Sequence, residues 1–197
     1  MNKLEFWYEF ASPYSYFSMM RIEALAKAAN IEVHYQPFLL GPLFKEFGWD
    51  TSPFKIYAEK GENFFRDIER EAEFHDLPPI KILDEFPQPG LAAARVALIG
   101  MEEGWGLEFS KAIYQRQFQE GGQTKGKEDV FEVLHALNIS DAEGVIEKAN
   151  SDENKNRLRE ITEQAKQKKI FGAPTFIVGK ELFWGNDRLE RAISYCK

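Results

Sequence analysis

The sequence predicts an α/β fold: a mixed sheet assembled from the two ends of the chain, with a long block of helices inserted between them. Three observations predict it. Residues 1–38 read as strand, helix, strand; Pro53 to Lys169 reads as helices alone; and the run after Gly172 reads as strand, tight turn, strand, helix. A parallel β-α-β half completed by an antiparallel β-β-α half is the chain order of a thioredoxin-like domain, here with a large inserted all-helical domain. The expected boundaries are 1–45 plus 170–197 for the sheet domain and 46–169 for the insertion.

Each element has its own signal. Leu4 to Phe10 is aromatic-rich, with apolar residues at every second place, so it is expected to be a strand. Ser12-Pro13 is the N-cap and first-turn signature of a helix. Behind it Met19, Ile22, Ala26 and Ala29 recur at helical spacing, which carries the helix to about Asn30. Ile31 to Phe38 is the second strand, broken by Leu39-Leu40-Gly41-Pro42. Phe54 to His75 is amphipathic and stops at Leu77-Pro78-Pro79, and Phe86-Pro87-Gln88-Pro89-Gly90 is a loop. Leu91 to Glu103 and Leu107 to Gln119 are helical, split by Gly104-Trp105-Gly106. Asp129 to Leu137, Asp141 to Ala149 and Asp152 to Lys169 are the last helices of the block. Thr175 to Val178 and Glu181 to Trp184 form a hairpin across Gly179-Lys180, and Gly185-Asn186-Asp187 caps a final helix.

Composition narrows the function. The chain has 197 residues, 44% hydrophobic and 29% charged, a globular composition. Its 25 basic and 32 acidic side chains leave a net charge of −7, which repels phosphate backbones and argues against a nucleic-acid partner. No apolar run approaches the roughly 18 residues of a membrane span. The first ten residues hold no apolar leader segment, so the expected compartment is the cytoplasm. The single cysteine, Cys196, excludes an internal disulfide, a redox cysteine pair and a cysteine-based zinc site, and is expected to be a free thiol at a frayed end. His34, His75 and His135 lie too far apart for metal-ligand spacing, and no metal site is expected.

Two runs carry the chemistry. Ser12-Pro13-Tyr14-Ser15 stands at a strand-to-helix junction, where unpaired N–H groups and the helix dipole favour an anion such as a thiolate. In a thioredoxin-like fold the reactive Cys-x-x-Cys occupies this place. Serines at both positions prevent disulfide exchange by the chain itself but allow a hydroxyl to hold another molecule's sulfur; the same serine also serves as a plain helix cap. Gly172-Ala173-Pro174-Thr175 opens a strand. A cis Ala173-Pro174 bond is expected there, close to Ser12, with the backbone of Ala173 free to pair with an extended peptide. Farther on, Asn186 or Asp187 can cap the last helix, and Asp187 can receive an ammonium. A ligand with one thiol, a peptide backbone and a free amino-acid head would use all three places, and glutathione is such a ligand.

At these residues the sequence resembles the 2-hydroxychromene-2-carboxylate isomerase family, of the DsbA-like and kappa-class glutathione transferase group. The matching pieces run from Phe10-Ala11-Ser12-Pro13-Tyr14-Ser15-Tyr16 through Phe38-Leu39-Leu40-Gly41-Pro42, Phe44-Lys45-Glu46-Phe47-Gly48-Trp49 and Leu91-Ala92-Ala93-Ala94-Arg95-Val96-Ala97 to Phe171-Gly172-Ala173-Pro174-Thr175-Phe176 and Trp184-Gly185-Asn186-Asp187-Arg188-Leu189. The resemblance covers essentially the whole chain. It implies glutathione as cofactor, a small-molecule substrate and a homodimer. Ser12 is then the catalytic contact to the glutathione sulfur, Ala173 and Pro174 pair with its cysteinyl part, and Trp184, Gly185, Asn186 and Asp187 form the γ-glutamyl pocket. The loop with Lys45, Trp49 and Asp50 would face the second substrate and part of the glutathione. Asp50 stands where many relatives have asparagine. Pro53-Phe54-Lys55 and Gly90 fall near the places where the well-studied isomerase contacts its aromatic acid through an asparagine-arginine pair and a tyrosine.

The implied reaction is reversible addition of the glutathione thiolate to an activated double bond, bond rotation and elimination. Two rivals share the fold: a kappa-like glutathione transferase, which releases the conjugate, and a non-enzymatic peptide-binding module.

Overall fold

The computed structural model describes residues 2–50 and 53–196; the side chains of Pro53 and Phe54 lie outside the described set. Strand β1 (Lys3–Tyr8) is followed by helix α1 (Pro13–Ala29) and strand β2 (Glu32–Pro37). Then come α2 (Leu40–Glu46), α3 (Pro53–Ile56), α4 (Ala58–Phe74), α5 (Leu91–Glu103) and α6 (Gly106–Gln115), which runs into a five-residue π-helical turn at Arg116–Glu120. Helices α7 (Lys127–Ala136), α8 (Ala142–Ala149) and α9 (Asp152–Gln167) complete the block. Strands β3 (Thr175–Val178) and β4 (Glu181–Trp184), a 3₁₀ turn at Asn186–Arg188 and α10 (Leu189–Tyr195) close the chain.

The four strands lie in the order β2-β1-β3-β4. β1 runs parallel to β2 in the register Phe6–Tyr35, and antiparallel to β3 in the register Phe6–Phe176; β3 and β4 are antiparallel. The two ends of the chain therefore meet in one sheet around the helices, as the element order requires.

Differences from the sequence reading have local causes. β1 ends at Tyr8 rather than Phe10, because Glu9 has its N–H turned to the Ser15 hydroxyl and its carbonyl to Ser12 N–H and the Tyr114 hydroxyl. Those bonds belong to the start of α1 and leave nothing for a sheet ladder. Leu40-Gly41-Pro42 does not simply break the chain but opens α2, since Pro42 falls in a first turn, where a missing N–H costs nothing. The helix read as Leu107 to Gln119 passes into the π turn, which closes at Gly121 with φ +71°. Phe86-Pro87 is a second cis bond, beside the expected Ala173-Pro174. Cys196 is not at a frayed end: it is buried against Lys3 and Ala192, its thiol 3.7 Å and 3.5 Å from their carbonyls, and burial pushes its pKa up. Residue 196 follows a helix whose Leu189, Ala192 and Ile193 are all in the core.

Both faces of the sheet are covered. Leu4, Phe6, Tyr8, Phe176 and Val178 join a large core with α1, α10 and the helices of the block, including Phe109, Tyr114 and Phe118. On the opposite face Trp7 and Ile177 pack with Phe38, Leu43, Ala165 and Ile170. α9 thus forms a third layer, and Trp7 is only 1% exposed although it alternates with the main core residues. Among the described residues no helix is long and apolar enough to cross a membrane.

Candidate active site

The site is built at the junction of β1 and α1. Ser12 is extended (φ −92°, ψ 115°), and its Oγ accepts the Ser15 N–H at 3.2 Å, so it is the N-cap of α1. The same Oγ donates to the Ala173 carbonyl at 2.9 Å, across the molecule and next to the cis Ala173-Pro174 bond. One hydroxyl therefore joins the two runs singled out in the sequence. Of the first-turn groups of α1, Pro13 has no N–H, Ser15 N–H is capped and Tyr16 N–H bonds the Ser12 carbonyl at 3.2 Å. Among the described residues that leaves the Tyr14 N–H without a protein acceptor, at the positive end of a 17-residue helix. Ser15, the second serine, is fully buried and turned to Glu9 N–H at 3.5 Å. It supports the turn from within and does not face a ligand.

The cis-proline loop supplies the opposite wall. The Ala173 carbonyl is taken by Ser12, while its N–H has no protein partner among the described residues. The Thr175 hydroxyl donates to the Gly172 carbonyl at 2.9 Å and holds the bend. A Cβ on Gly172 would stand 2.2 Å from Trp184 Nε1, so the indole lies directly over this backbone. Trp184 is 53% exposed and meets Phe171 edge-on with ring centroids 5.0 Å apart, an apolar ledge beside the proline. Gly185 has φ +110°, a region that side chains rarely adopt, and its N–H donates to the Pro174 carbonyl at 3.0 Å. Ser12, Ala173, Pro174, Trp184 and Gly185 are thus brought together.

Asn186 is adjacent but turned inward. It is 2% exposed; its Oδ1 accepts from the Ser18 hydroxyl at 2.9 Å, and its Nδ2 donates to Glu71 at 2.6 Å with His75 Nε2 at 3.1 Å. The side chain ties the β4–α10 loop to α1 and to α4. Asp187 is exposed and pairs with its neighbour Arg188 at 2.6 Å. Beneath Asn186, Arg21 lies against His75 and reaches Glu190 at 2.6 Å; burial, then the Arg21 charge, lowers the pKa of His75. Tyr14 donates to Asp67 on α4 at 2.6 Å, and burial and that carboxylate raise its pKa. Ser18, Arg21 and Glu71 were missed in the sequence, and His75 was weighed there only as a metal ligand, because their role exists only where three elements meet. For Arg21 and Ser18 the signal available was a polar residue one helical turn from the apolar positions of α1.

Lys45 and Asp50 are exposed at the end of α2 and beyond it, and Trp49 packs on Phe44 and Phe47 at 5.7 Å and 5.8 Å. Among the described residues none of the three has a hydrogen bond, ion pair or ring contact to Ser12 or the proline loop. No cluster of His, Cys, Asp and Glu among the described residues could hold a metal ion.

The residue that sequence reasoning passed over altogether is Glu9. It is 7% exposed, directly before the turn, and its Oε2 accepts the Ala11 N–H at 2.9 Å. Burial pushes its pKa up to about 8 against the smaller opposing effect of that hydrogen bond.

Known proteins resemble this chain along nearly its whole length. The 2-hydroxychromene-2-carboxylate isomerase of Sphingobium xenophagum is 25% identical over 193 residues, covering 98% of this chain and 96% of that protein. Glutathione S-transferase kappa 1 of Caenorhabditis elegans is 24% identical over 200 residues, covering 95% and 88%. The solved structure of a 2-hydroxychromene-2-carboxylate isomerase shares the fold with a TM-score of 0.85 at 23% identity, over 98% of this chain and 93% of that one. The family profile of the DSBA-like thioredoxin domain matches residues 3–195, so this chain belongs to the DsbA-like thioredoxin family.

Proposed function

We propose that this chain is a glutathione-dependent isomerase of the 2-hydroxychromene-2-carboxylate isomerase type, acting on a small molecule with an activated double bond. The observation that carries the reading is the Ser12 hydroxyl, which caps α1 and touches the carbonyl of Ala173 beside the cis proline. The site has the donors of a thiol site and no sulfur of its own. The residues present fit glutathione: the Tyr14 and Ala173 N–H groups lack protein acceptors among the described residues, and the Trp184–Phe171 ledge flanks them. When bound, glutathione would supply a nucleophilic thiol that can add to a double bond and leave again. Ser12 has one hydroxyl proton, now given to the Ala173 carbonyl, and would turn it to an anionic sulfur. The Tyr14 N–H and the dipole of α1 favour the same charge. Gly185 and Asp187 line the γ-glutamyl end, with Asn186 holding their loop in place. Lys45, Trp49 and Asp50 are proposed to face the second substrate from the α2–α3 turn. A homodimer in the cytoplasm is part of the same proposal.

Similarity to the kappa-class enzyme supports a second reading, conjugation of glutathione to an electrophile. Whether the product retains glutathione decides between the two. Ser12→Ala tests both. The lost cap costs about 0.5–2 kcal/mol of stability. One hydrogen bond to a charged sulfur is worth roughly 1.5–3 kcal/mol, so the bound thiol should titrate one to two pH units higher and turnover at neutral pH should fall about ten- to a hundredfold. Thiolate absorbance near 240 nm, titrated in wild type and variant, measures this directly. Identical curves would reduce Ser12 to a helix cap, and no glutathione uptake at millimolar concentration would end the proposal.

A further inference from the structure

The turn that carries Ser12 is held by one residue at three of its atoms. The Glu9 carboxyl accepts the Ala11 N–H at 2.9 Å, its carbonyl accepts the Ser12 N–H at 3.0 Å and the Tyr114 hydroxyl at 2.9 Å, and its N–H faces the Ser15 hydroxyl at 3.5 Å. The other carboxyl oxygen, Oε1, lies against α5: a Cβ added to Gly90 would stand 2.7 Å from it. The carboxyl is therefore enclosed between the turn, α6 and the start of α5. No lysine, arginine or histidine pairs with it among the described residues. The titratable group whose charge meets it is a phenol, Tyr114 from α6, buried and with raised pKa. The Ser15 hydroxyl of α1 faces the Glu9 backbone N–H rather than the carboxyl, and Gly90, the N-cap of α5, stands beside Oε1.

We infer that Glu9 is a positioning residue for the Ser12 turn, and that it does so with its carboxyl protonated, so that the start of α1 stays free of a second negative charge where an anion is to bind. The inference rests on reading this turn as a thiolate site, and gives that site a pH limit of its own. A carboxylate here would still accept the Ala11 N–H, but it would place a negative charge in a low-dielectric enclosure, three residues before Ser12, and repel a thiolate. Burial with no cation nearby holds the proton on, up to about pH 8. Below that pH the turn is both hydrogen-bonded and neutral. Above it the turn keeps its geometry and loses its neutrality.

Two variants separate geometry from charge. Glu9→Gln keeps an oxygen for the Ala11 N–H and cannot ionise; Glu9→Ala removes the acceptor. In the unliganded protein, NMR should show the Ala11 amide resonance titrating with a midpoint near pH 8 in wild type and not moving in Glu9→Gln. Glutathione affinity should match in wild type and Glu9→Gln at pH 7, then diverge by about tenfold at pH 9 as only the wild type gains the repelling charge. Comparing the two proteins at each pH cancels the titration of glutathione itself. Glu9→Ala should bind roughly tenfold more weakly at every pH, from an unsatisfied Ala11 N–H in the turn. An Ala11 amide that titrates alike in wild type and Glu9→Gln, or that stays still in wild type from pH 6 to 10, overturns the inference. So do glutathione affinities that stay parallel. If the wild type takes up no glutathione, the reading of the site fails, while the Ala11 titration still decides what Glu9 does.

Discussion

A carboxyl under a turn makes stability depend on pH in a direction opposite to the usual one. Most carboxylates ionise more easily in the folded chain; Glu9 ionises less easily, with its pKa pushed from 4.5 to about 8 by burial. Between those values the folded chain holds a proton that the unfolded chain has released. Stability from this group is therefore complete below about pH 4.5, falls as pH rises, and is lost above about pH 8. Each pH unit in that window is worth about 1.4 kcal/mol, so the loss is several kcal/mol in all. Glu9→Gln should be free of it. Urea midpoints at pH 5 and pH 8 are expected to fall more for wild type than for the variant, and equal falls would mean that Glu9 is already ionised at pH 5. The same scale shows why Ser12 and Ser15 differ. They lie three apart in one capping turn, yet Ser12 borders the proline loop while Ser15 points into the buried turn.

Among the elements, the β3–β4 hairpin with its flanking residues, from Phe171 to Gly185, depends on two glycines for different reasons. Gly185 requires its backbone angle. Gly172 requires space, because the Trp184 indole lies where its Cβ would be. Gly172→Ala should push that ring off the loop. The ring is half-exposed, so the stability cost is expected to stay within about 1 kcal/mol. Its tryptophan emission should shift to the red, and glutathione binding should weaken severalfold as the ledge is lost. Unchanged emission would show that the indole has room. Helix α1 shows the opposite economy: Ser12 at its N-cap and Asn30 in the left-handed conformation at its C-cap bound it by local bonds alone.

At the scale of the whole molecule, the helical block is fastened to the sheet at its own site. Asn186 joins Ser18 of α1 to Glu71 and His75 at the end of α4; Tyr14 of α1 holds Asp67 of α4; Tyr114 of α6 holds the Glu9 carbonyl. A domain division at 45 and 170 remains our proposal from chain order, and the buried core runs through it without a gap, from Phe6 and Phe176 to Tyr114 and Val130. Asn186→Ala should leave the Ser18 hydroxyl and Glu71 without their partner, costing about 1–3 kcal/mol, and loosen the loop that carries Gly185 and Asp187. A urea midpoint equal to wild type would deny the network any part in stability.

By itself the sequence determined what obeys short-range rules. Helix starts and stops follow from capping and period, so Ser12-Pro13 and Gly179-Lys180 stood where expected, and the strand-helix order fixed which ends of the chain share a sheet. The paired serine run and the proline run were legible because each is contiguous. Burial is different, since it depends on what arrives from elsewhere in the chain. Only the tertiary structure decided that Trp7 would be covered by α9, that Cys196 would be sealed against Lys3, and that Asn186 would spend its amide on α1 and α4. It also decided that the glutamate before the turn, an ordinary charged residue in the sequence, would be buried beside the start of α5 and Tyr114 of α6, where no cation among the described residues pairs with it and its proton is held by the loss of water.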